Sequence, residues 1–182
     1  MYTREEEIRV IINLFMDYAT CQKEAIDFLK SGNQRKFQDQ SMILSCQEKL
    51  ERCSQVLNNL KKIIMYFDQA YTPEQLQPGG IAEQRAQEGK RLFVELKKDP
   101  AYISVMKEIA HNSYFNNYDE ELSNIQLPEE QVGSHLEQRF RSGAISKEQL
   151  ILFDNYFTYL SQDPDYLDSV SQNLQSPSNF SR

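Results

Sequence analysis

Apolar residues recur at helical spacing along most of the chain, and the longest such run predicts a long second helix. The steps between apolar positions alternate between three and four residues over about four heptads, which is the pattern of helices packed nearly parallel or antiparallel. The positions are Ile43, Cys46, Leu50, Cys53, Leu57, Leu60, Ile64, Phe67 and Tyr71. This seam predicts the core of a helical bundle, with a dimeric coiled coil as the alternative.

The N-terminal segment predicts a first helix that runs antiparallel to the second. Thr3 and Glu6 have the spacing of a capping box, and Gly32 is predicted to end the helix in the left-handed conformation. Since the connection after Gly32 is short, the two helices should be antiparallel neighbours. The predicted apolar face consists of Ile11, Leu14, Tyr18, Cys21, Ala25 and Phe28, widened near the N-terminus by Ile8, Ile12, Phe15 and Ala19.

Shorter helical patterns follow the sequence Pro78-Gly79-Gly80, which predicts a flexible connection. Asp99-Pro100 is typical of an N-cap followed by the first helical residue, and the same pair recurs as Asp163-Pro164. Both pairs lie within the pattern F-x-x-L-x-x-D-P-x-Y, which indicates either a duplicated unit or one capping solution used twice. Further helices are predicted from Ile81 to Lys98, from Asp99 towards Tyr118, from Pro128 to near Gly143, and from the capping box of Ser146 and Gln149.

The fold prediction is therefore an all-α helical bundle of six or seven helices built on an N-terminal antiparallel hairpin. Residues 1–71 form the hairpin, with its heptad-patterned second helix, and residues 72–80 form the connection. Residues 81–175 form an acidic multi-helix portion packed on the hairpin, and residues 176–182 form a disordered tail.

Composition and charge narrow the classes of function. Apolar residues make up 40% of the 182 positions, and no run is long enough to span a membrane. The acidic N-terminus has no signal-peptide pattern, so the prediction is a cytoplasmic protein. Residues 1–71 are neutral and residues 72–182 carry the whole net charge of −7, which opposes binding to nucleic acid.

The spacing of Cys46 and Cys53 argues against a disulfide between them. Cys46 and Cys53 lie seven residues apart on one helix, or about 10.5 Å along its axis, whereas a disulfide needs Cα atoms within about 7 Å. Cys46 and Cys53 belong to the seam, and Cys21 belongs to the apolar face of the first helix. All three are predicted to be reduced, buried core residues.

Catalytic and metal-binding motifs are weak. His111 and His135 are the only histidines, and although Glu108 stands one turn before His111, no second histidine stands three or four residues from either. No catalytic residue, metal or cofactor is predicted.

Aromatic residues carry the functional prediction. Tyr114, Phe115, Tyr118, Tyr156 and Tyr159 are the candidate partner-binding residues, because tyrosine combines a large rigid area with a polar tip. The leading hypothesis is a non-enzymatic protein-interaction module, an adaptor, chaperone-like or regulatory bundle, which binds a partner helix or peptide through an aromatic, acidic-rimmed surface. The alternatives are a ligand-sensing bundle with an aromatic-lined cavity and an enzyme with a His/carboxylate site. Whether the protein is a monomer or a homodimer stays open.

Overall fold

A computed structural model describes residues 2–32, 37–113, 129–160 and 162. These residues form six α-helices and no β-strand, which confirms the all-α prediction. The helices are α1 (Arg4–Ser31), α2 (Phe37–Ile64), α3 (Ile81–Lys97), α4 (Pro100–Ser113), α5 (Glu129–Arg141) and α6 (Lys147–Leu160). No described helix is both long enough and apolar enough to cross a membrane.

The chain divides into two compact units, Met1–Val105 and Met106–Arg182, and the division falls within α4. The helix α3, which follows the predicted connection at residues 72–80, packs against α2 within the first unit. The charge follows this division. Met1–Val105 holds fifteen basic and fifteen acidic residues, so the net charge of −7 belongs to Met106–Arg182.

In the first unit, α1 and α2 pack closely along their lengths as the predicted hairpin. The capping box at the start of α1 is present, with the Glu6 amide donating to Thr3 Oγ1 at 3.1 Å. Ile8, Ile11 and Phe15 are fully buried, so the N-terminal half of α1 is central, as predicted. Further along the predicted apolar face Tyr18 is also buried, but the prediction is wrong for Cys21 and Phe28, which are exposed.

Two predictions about helix ends are also wrong. Gly32 has φ −83° and ψ 176°, an extended conformation that needs no glycine. The second helix ends at Ile64 and not at Tyr71, since hydrogen-bonded turns begin with the amides of Tyr66 and Phe67. The left-handed conformation occurs at Gly79 and Gly143, with φ of 74° and 79°.

An aromatic cluster joins three helices of the first unit. The Tyr102 ring on α4 lies 5.4 Å from the Phe15 ring on α1 and 6.5 Å from the Phe93 ring on α3. Asp99 sets the start of α4 as predicted, because its Oδ1 accepts from the Ala101 amide at 2.9 Å. Local capping thus places Tyr102 in the core of the hairpin.

The packing of α3 against the turn that follows α2 depends on Gly89. A Cβ atom at this position would stand 2.7 Å from Cε2 of Phe67 and 3.0 Å from Cβ of Tyr66. The close approach of the two segments therefore requires glycine.

In the second unit, α5 and α6 pack on each other. Ser146 and Gln149 form the predicted capping box, with the Gln149 amide donating to Ser146 Oγ at 3.1 Å. Leu150, Phe153 and Phe157 on α6 are buried, as its apolar pattern predicted. Asp163-Pro164 and the tail lie outside the described residues, so the repeated motif stays a prediction.

Candidate functional site

A groove opens to solvent between α1 and α2 of the first unit. Its volume is about 250 Å³. The lining residues are Met16, Ala19, Thr20 and Lys23 from α1 and Leu50, Ser54, Leu57, Asn58 and Lys61 from α2. On each helix these residues repeat at steps of three and four, so each set occupies one face.

On α1 the groove face is distinct from the face that builds the core, whereas on α2 the groove borders the core at Leu57, which is 7% exposed. Met16 follows Phe15 in sequence and therefore lies about 100° further round α1. Phe15 is fully buried, whereas Met16 is 45% exposed. Small side chains next to Met16 and Leu57, namely Ala19 and Ser54, leave the groove between the two helix backbones unfilled.

The groove lining is mixed, with four apolar and five polar residues. Met16 and Leu50 supply accessible apolar surface beside the largely buried Leu57, and methionine adapts its flexible side chain to different partners. The Thr20 hydroxyl donates to the Met16 carbonyl at 3.0 Å, so its proton is engaged within α1. The amide of the Asn58 side chain adds both hydrogen-bond donors and an acceptor.

The charge of the groove is positive. Lys23 and Lys61 line it, and the lining contains no aspartate or glutamate. Within the described ranges, no ion pair involves either lysine. The two ammonium groups give this part of the surface a positive potential.

A second cluster of charge surrounds Glu7, which is only 2% exposed. Its carboxylate accepts from Arg4 at 2.8 Å and from Lys97 at 2.5 Å. The Lys97 ammonium also lies 4.4 Å from the centre of the Phe93 ring. Because the carboxylate is packed and paired on both oxygens, this cluster links α1 to α3 and leaves no oxygen of Glu7 without a partner.

The structure describes two of the five predicted aromatic residues, Tyr156 and Tyr159. Tyr114, Phe115 and Tyr118 lie outside the described residues. Tyr156 is half-buried and its ring meets that of Phe157 edge-on at 5.8 Å, while Tyr159 is 7% exposed. The burial of Tyr159 leaves little of its surface for a partner.

The histidines have no metal-binding surroundings in the described part of the chain. His111 is exposed and His135 is half-buried. No group of three or more His, Cys, Asp or Glu side chains there has the arrangement needed to hold a metal ion. The acidic residues 119–121 near His111 lie outside the described residues.

The cysteines differ from the prediction that all three are buried. Cys53 is fully buried and its thiol donates to the Phe15 carbonyl at 3.2 Å, but Cys46 is half-buried and Cys21 is exposed. Burial raises the pKa of the Cys53 thiol to about 11. The prediction is wrong for Cys21 because this residue lies off the face of α1 that carries the buried Tyr18 and Ile26 on either side of it.

The three thiols should therefore react at very different rates. With a bulky thiol reagent at about pH 8, we expect Cys21 to be labelled first, Cys46 second, and Cys53 more slowly by orders of magnitude. Only a thousandth or so of Cys53 is thiolate at that pH, and the reagent cannot reach it without unfolding. Mass spectrometry of timed samples measures the order, and labelling in urea, where all three should react alike, is the control. Equal rates for Cys53 and Cys21 in the folded chain would contradict this burial.

The groove was not predicted from the sequence. Leu50 and Leu57 were assigned to the core seam, and Met16, Lys23 and Lys61 carried no signal of their own. The available signal was a row of small or polar residues next to the seam, namely Ala19, Thr20, Ser54 and Asn58. Such a row becomes a groove only when the partner helix places its own small residues opposite.

Comparison of the chain with protein-family models, with curated proteins and with solved structures found no match. The function must therefore be argued from the residues of this chain alone.

Proposed function

We propose that this protein is a non-enzymatic interaction module that binds a helical segment of a partner protein in the groove between α1 and α2. The observation that carries the proposal is the open, partly apolar groove, which on α1 lies on a face that the core does not use. Peptide helices bind in grooves of this kind by inserting apolar side chains at helical spacing. Tyr114, Phe115 and Tyr118 of the predicted aromatic surface lie outside the described residues, so that surface stays a prediction beside the proposed groove.

The dimensions of the groove support a helical partner. From Leu50 to Lys61 the lining of α2 extends over eleven residues, which is about 16 Å or three helical turns. A third helix lying between α1 and α2 would place two or three side chains in the groove. An interface of this size suits a reversible complex more than a permanent one.

The two alternative functions have less support. A ligand-sensing bundle calls for an enclosed aromatic cavity, whereas this groove is open and its lining contains no aromatic residue. An enzyme calls for a histidine that faces carboxylates in a cleft, and His111 is exposed. For the location, we infer a reducing compartment such as the cytoplasm, which suits the exposed thiol of Cys21.

Filling the groove should abolish binding of the partner. Thr20→Trp and Ser54→Trp place a large ring in the groove, and we expect each to reduce the captured partner at least tenfold. The measurement is affinity capture from the organism that makes the chain, quantified by mass spectrometry against the wild-type chain. Glu24→Trp and Gln55→Trp are the matched controls, since both residues are exposed on the same helices and do not line the groove.

The comparison between variants decides the outcome. A partner lost with Ser54→Trp and retained with Gln55→Trp supports binding in the groove. A partner that is retained by both groove variants contradicts it, provided that circular dichroism shows all four variants to be folded.

A further inference from the structure

We infer that the hairpin of α1 and α2 opens in two separate parts, so that its distal half unfolds on its own while its proximal half stays folded with α3 and α4. The distal half is residues 19–31 of α1 and 37–50 of α2, on either side of the connection between the helices. The proximal half is residues 4–18 and 51–64. The unequal burial of the two halves carries this inference, which requires no partner.

The proximal half has a closed core. The ring of Tyr102 on α4 lies 5.4 Å from the Phe15 ring, and Lys97 on α3 pairs with the carboxylate of Glu7. Because α3 and α4 cover this half, its opening exposes side chains from four helices at once. Ten of its side chains are buried, namely Glu7, Ile8, Ile11, Phe15, Tyr18, Cys53, Val56, Leu57, Leu60 and Ile63.

The distal half has almost no core. Among the side chains that the structure describes there, only Ile26 and Ile43 are buried. The Cys53 thiol contacts the Phe15 carbonyl, which fixes the register of the two helices. From that contact, Ile26 lies eleven residues further along α1 and Ile43 lies ten residues back along α2, so the antiparallel helices bring them level. One pair of buried isoleucines, with half-buried neighbours, therefore holds the two helices together here.

The other apolar side chains of the distal half gain little from folding. Phe28, Met42 and Leu44 are 78%, 54% and 57% exposed, and Cys21 is exposed as well. The α1 segment has 13 residues and the α2 segment has 14, lengths at which an isolated helix is marginal in water. Opening of the distal half thus exposes little further apolar surface, and it costs much less free energy than opening of the proximal half.

The opening also changes the groove between α1 and α2. Ala19, Thr20, Lys23 and Leu50 of the groove lining belong to the distal half. This part of the groove therefore exists only while the distal half is folded. A ligand that binds across it stabilises the folded hairpin by mass action and makes the opening rarer.

Amide hydrogen exchange of the full chain, followed by mass spectrometry of its peptides, tests the inference. After correction for intrinsic rates, we expect the hydrogen-bonded amides of the distal half to exchange at least about a hundredfold faster than those of the proximal half. Low concentrations of urea should speed proximal exchange strongly and distal exchange weakly, because the distal opening exposes less surface. Equal protection and equal urea dependence in both halves would show that the hairpin opens as one unit, which overturns the inference.

Ile11→Ala and Ile26→Ala are a matched pair that makes the test one-way. Both change a buried isoleucine of α1, the first in the proximal half and the second in the distal half. Ile11 stays buried when the distal half opens, so Ile11→Ala should raise proximal exchange at least about tenfold and leave distal exchange within about twofold of the wild-type rate. Ile26→Ala should raise distal exchange at least about tenfold, and proximal exchange with it, because global unfolding then starts from a less stable hairpin.

The pair of variants separates two opening units from one. Circular dichroism first shows whether both variants are folded, and Ile11→Val with Ile26→Val replaces the pair if they are not, with rises of about threefold in place of tenfold. If the proximal variant raises distal exchange as much as proximal exchange, the hairpin is a single cooperative unit and the inference is wrong. It is also wrong if the distal variant leaves distal exchange unchanged.

Discussion

Phe15→Ala is expected to lower the free energy of unfolding by about 3–5 kcal/mol, the usual cost of removing a buried phenylalanine ring. Phe15 is fully buried, its ring contacts Tyr102 at 5.4 Å, and its carbonyl accepts from the Cys53 thiol. The substitution leaves a cavity where α1, α2 and α4 meet. Urea denaturation followed by circular dichroism measures the loss.

Phe28→Ala is the matched control for this prediction. It makes the same chemical change on the same helix, at a side chain that is 78% exposed. We expect its stability to stay within about 0.5 kcal/mol of the wild-type value, as for surface substitutions in general. Equal losses for the two variants would show that the core does not lie at Phe15.

Lys97→Met is expected to lower the free energy of unfolding by about 2–3 kcal/mol. Methionine keeps most of the length of the side chain but removes the charge that pairs with Glu7, whose carboxylate is then buried without the ammonium of Lys97. The loss is placed below the usual cost of breaking a fully buried pair, because the Lys97 side chain is 24% exposed. The measurement is again denaturation in urea.

Lys98→Met separates this effect from a general effect of removing a lysine. Lys98 is the next residue, is exposed, and stands 3.8 Å from the exposed carboxylate of Glu95. Its removal should change stability by less than about 0.5 kcal/mol. In a double-mutant cycle, Glu7→Gln should cost little once Lys97 is already methionine. If Lys97→Met and Lys98→Met lower the free energy of unfolding equally, the ion pair of Lys97 with Glu7 does not hold α1 against α3.

The helix starts could be predicted from the sequence because capping is local. Thr3, Asp99 and Ser146 each accept a hydrogen bond from an amide two or three residues later, so the residues concerned are close in sequence. The hairpin was also predictable, since its heptad seam and short connection leave few other arrangements. These features set the fold class without knowledge of long-range contacts.

How far each side chain is buried could not be predicted in the same way. Phe28 continues the apolar pattern of α1 and is nevertheless exposed, because periodicity shows which face is apolar and not how far a neighbour covers it. Val56 and Ile63 lie beside the predicted seam of α2 and are buried, while Cys46 within the seam is half-buried. The first unit includes α3, so α2 is covered over a wider face than a two-helix seam predicts.

The groove was beyond sequence reasoning for a related reason. Its existence depends on which residues of α2 stand level with Met16 and Lys23, and the register of two packed helices follows from side-chain contacts such as that of Cys53 with Phe15. A shift by one helical turn would place Lys61 beside different residues. The sequence of either helix alone does not show which residues of α1 and α2 stand level with each other.

The most direct test of the groove as the binding site is photo-cross-linking from its lining. A photoreactive lysine analogue, which keeps a long side chain at the edge of the groove, replaces Lys61 in one version of the full chain and the exposed neighbour Lys62, outside the lining, in another. After irradiation in the cells that make the chain, mass spectrometry identifies the cross-linked segments. Position 61 should yield a cross-link to a helical segment of another protein, and position 62 should yield much less of it. Equal cross-linking from both positions, or none from position 61, would show that the groove is not the binding site.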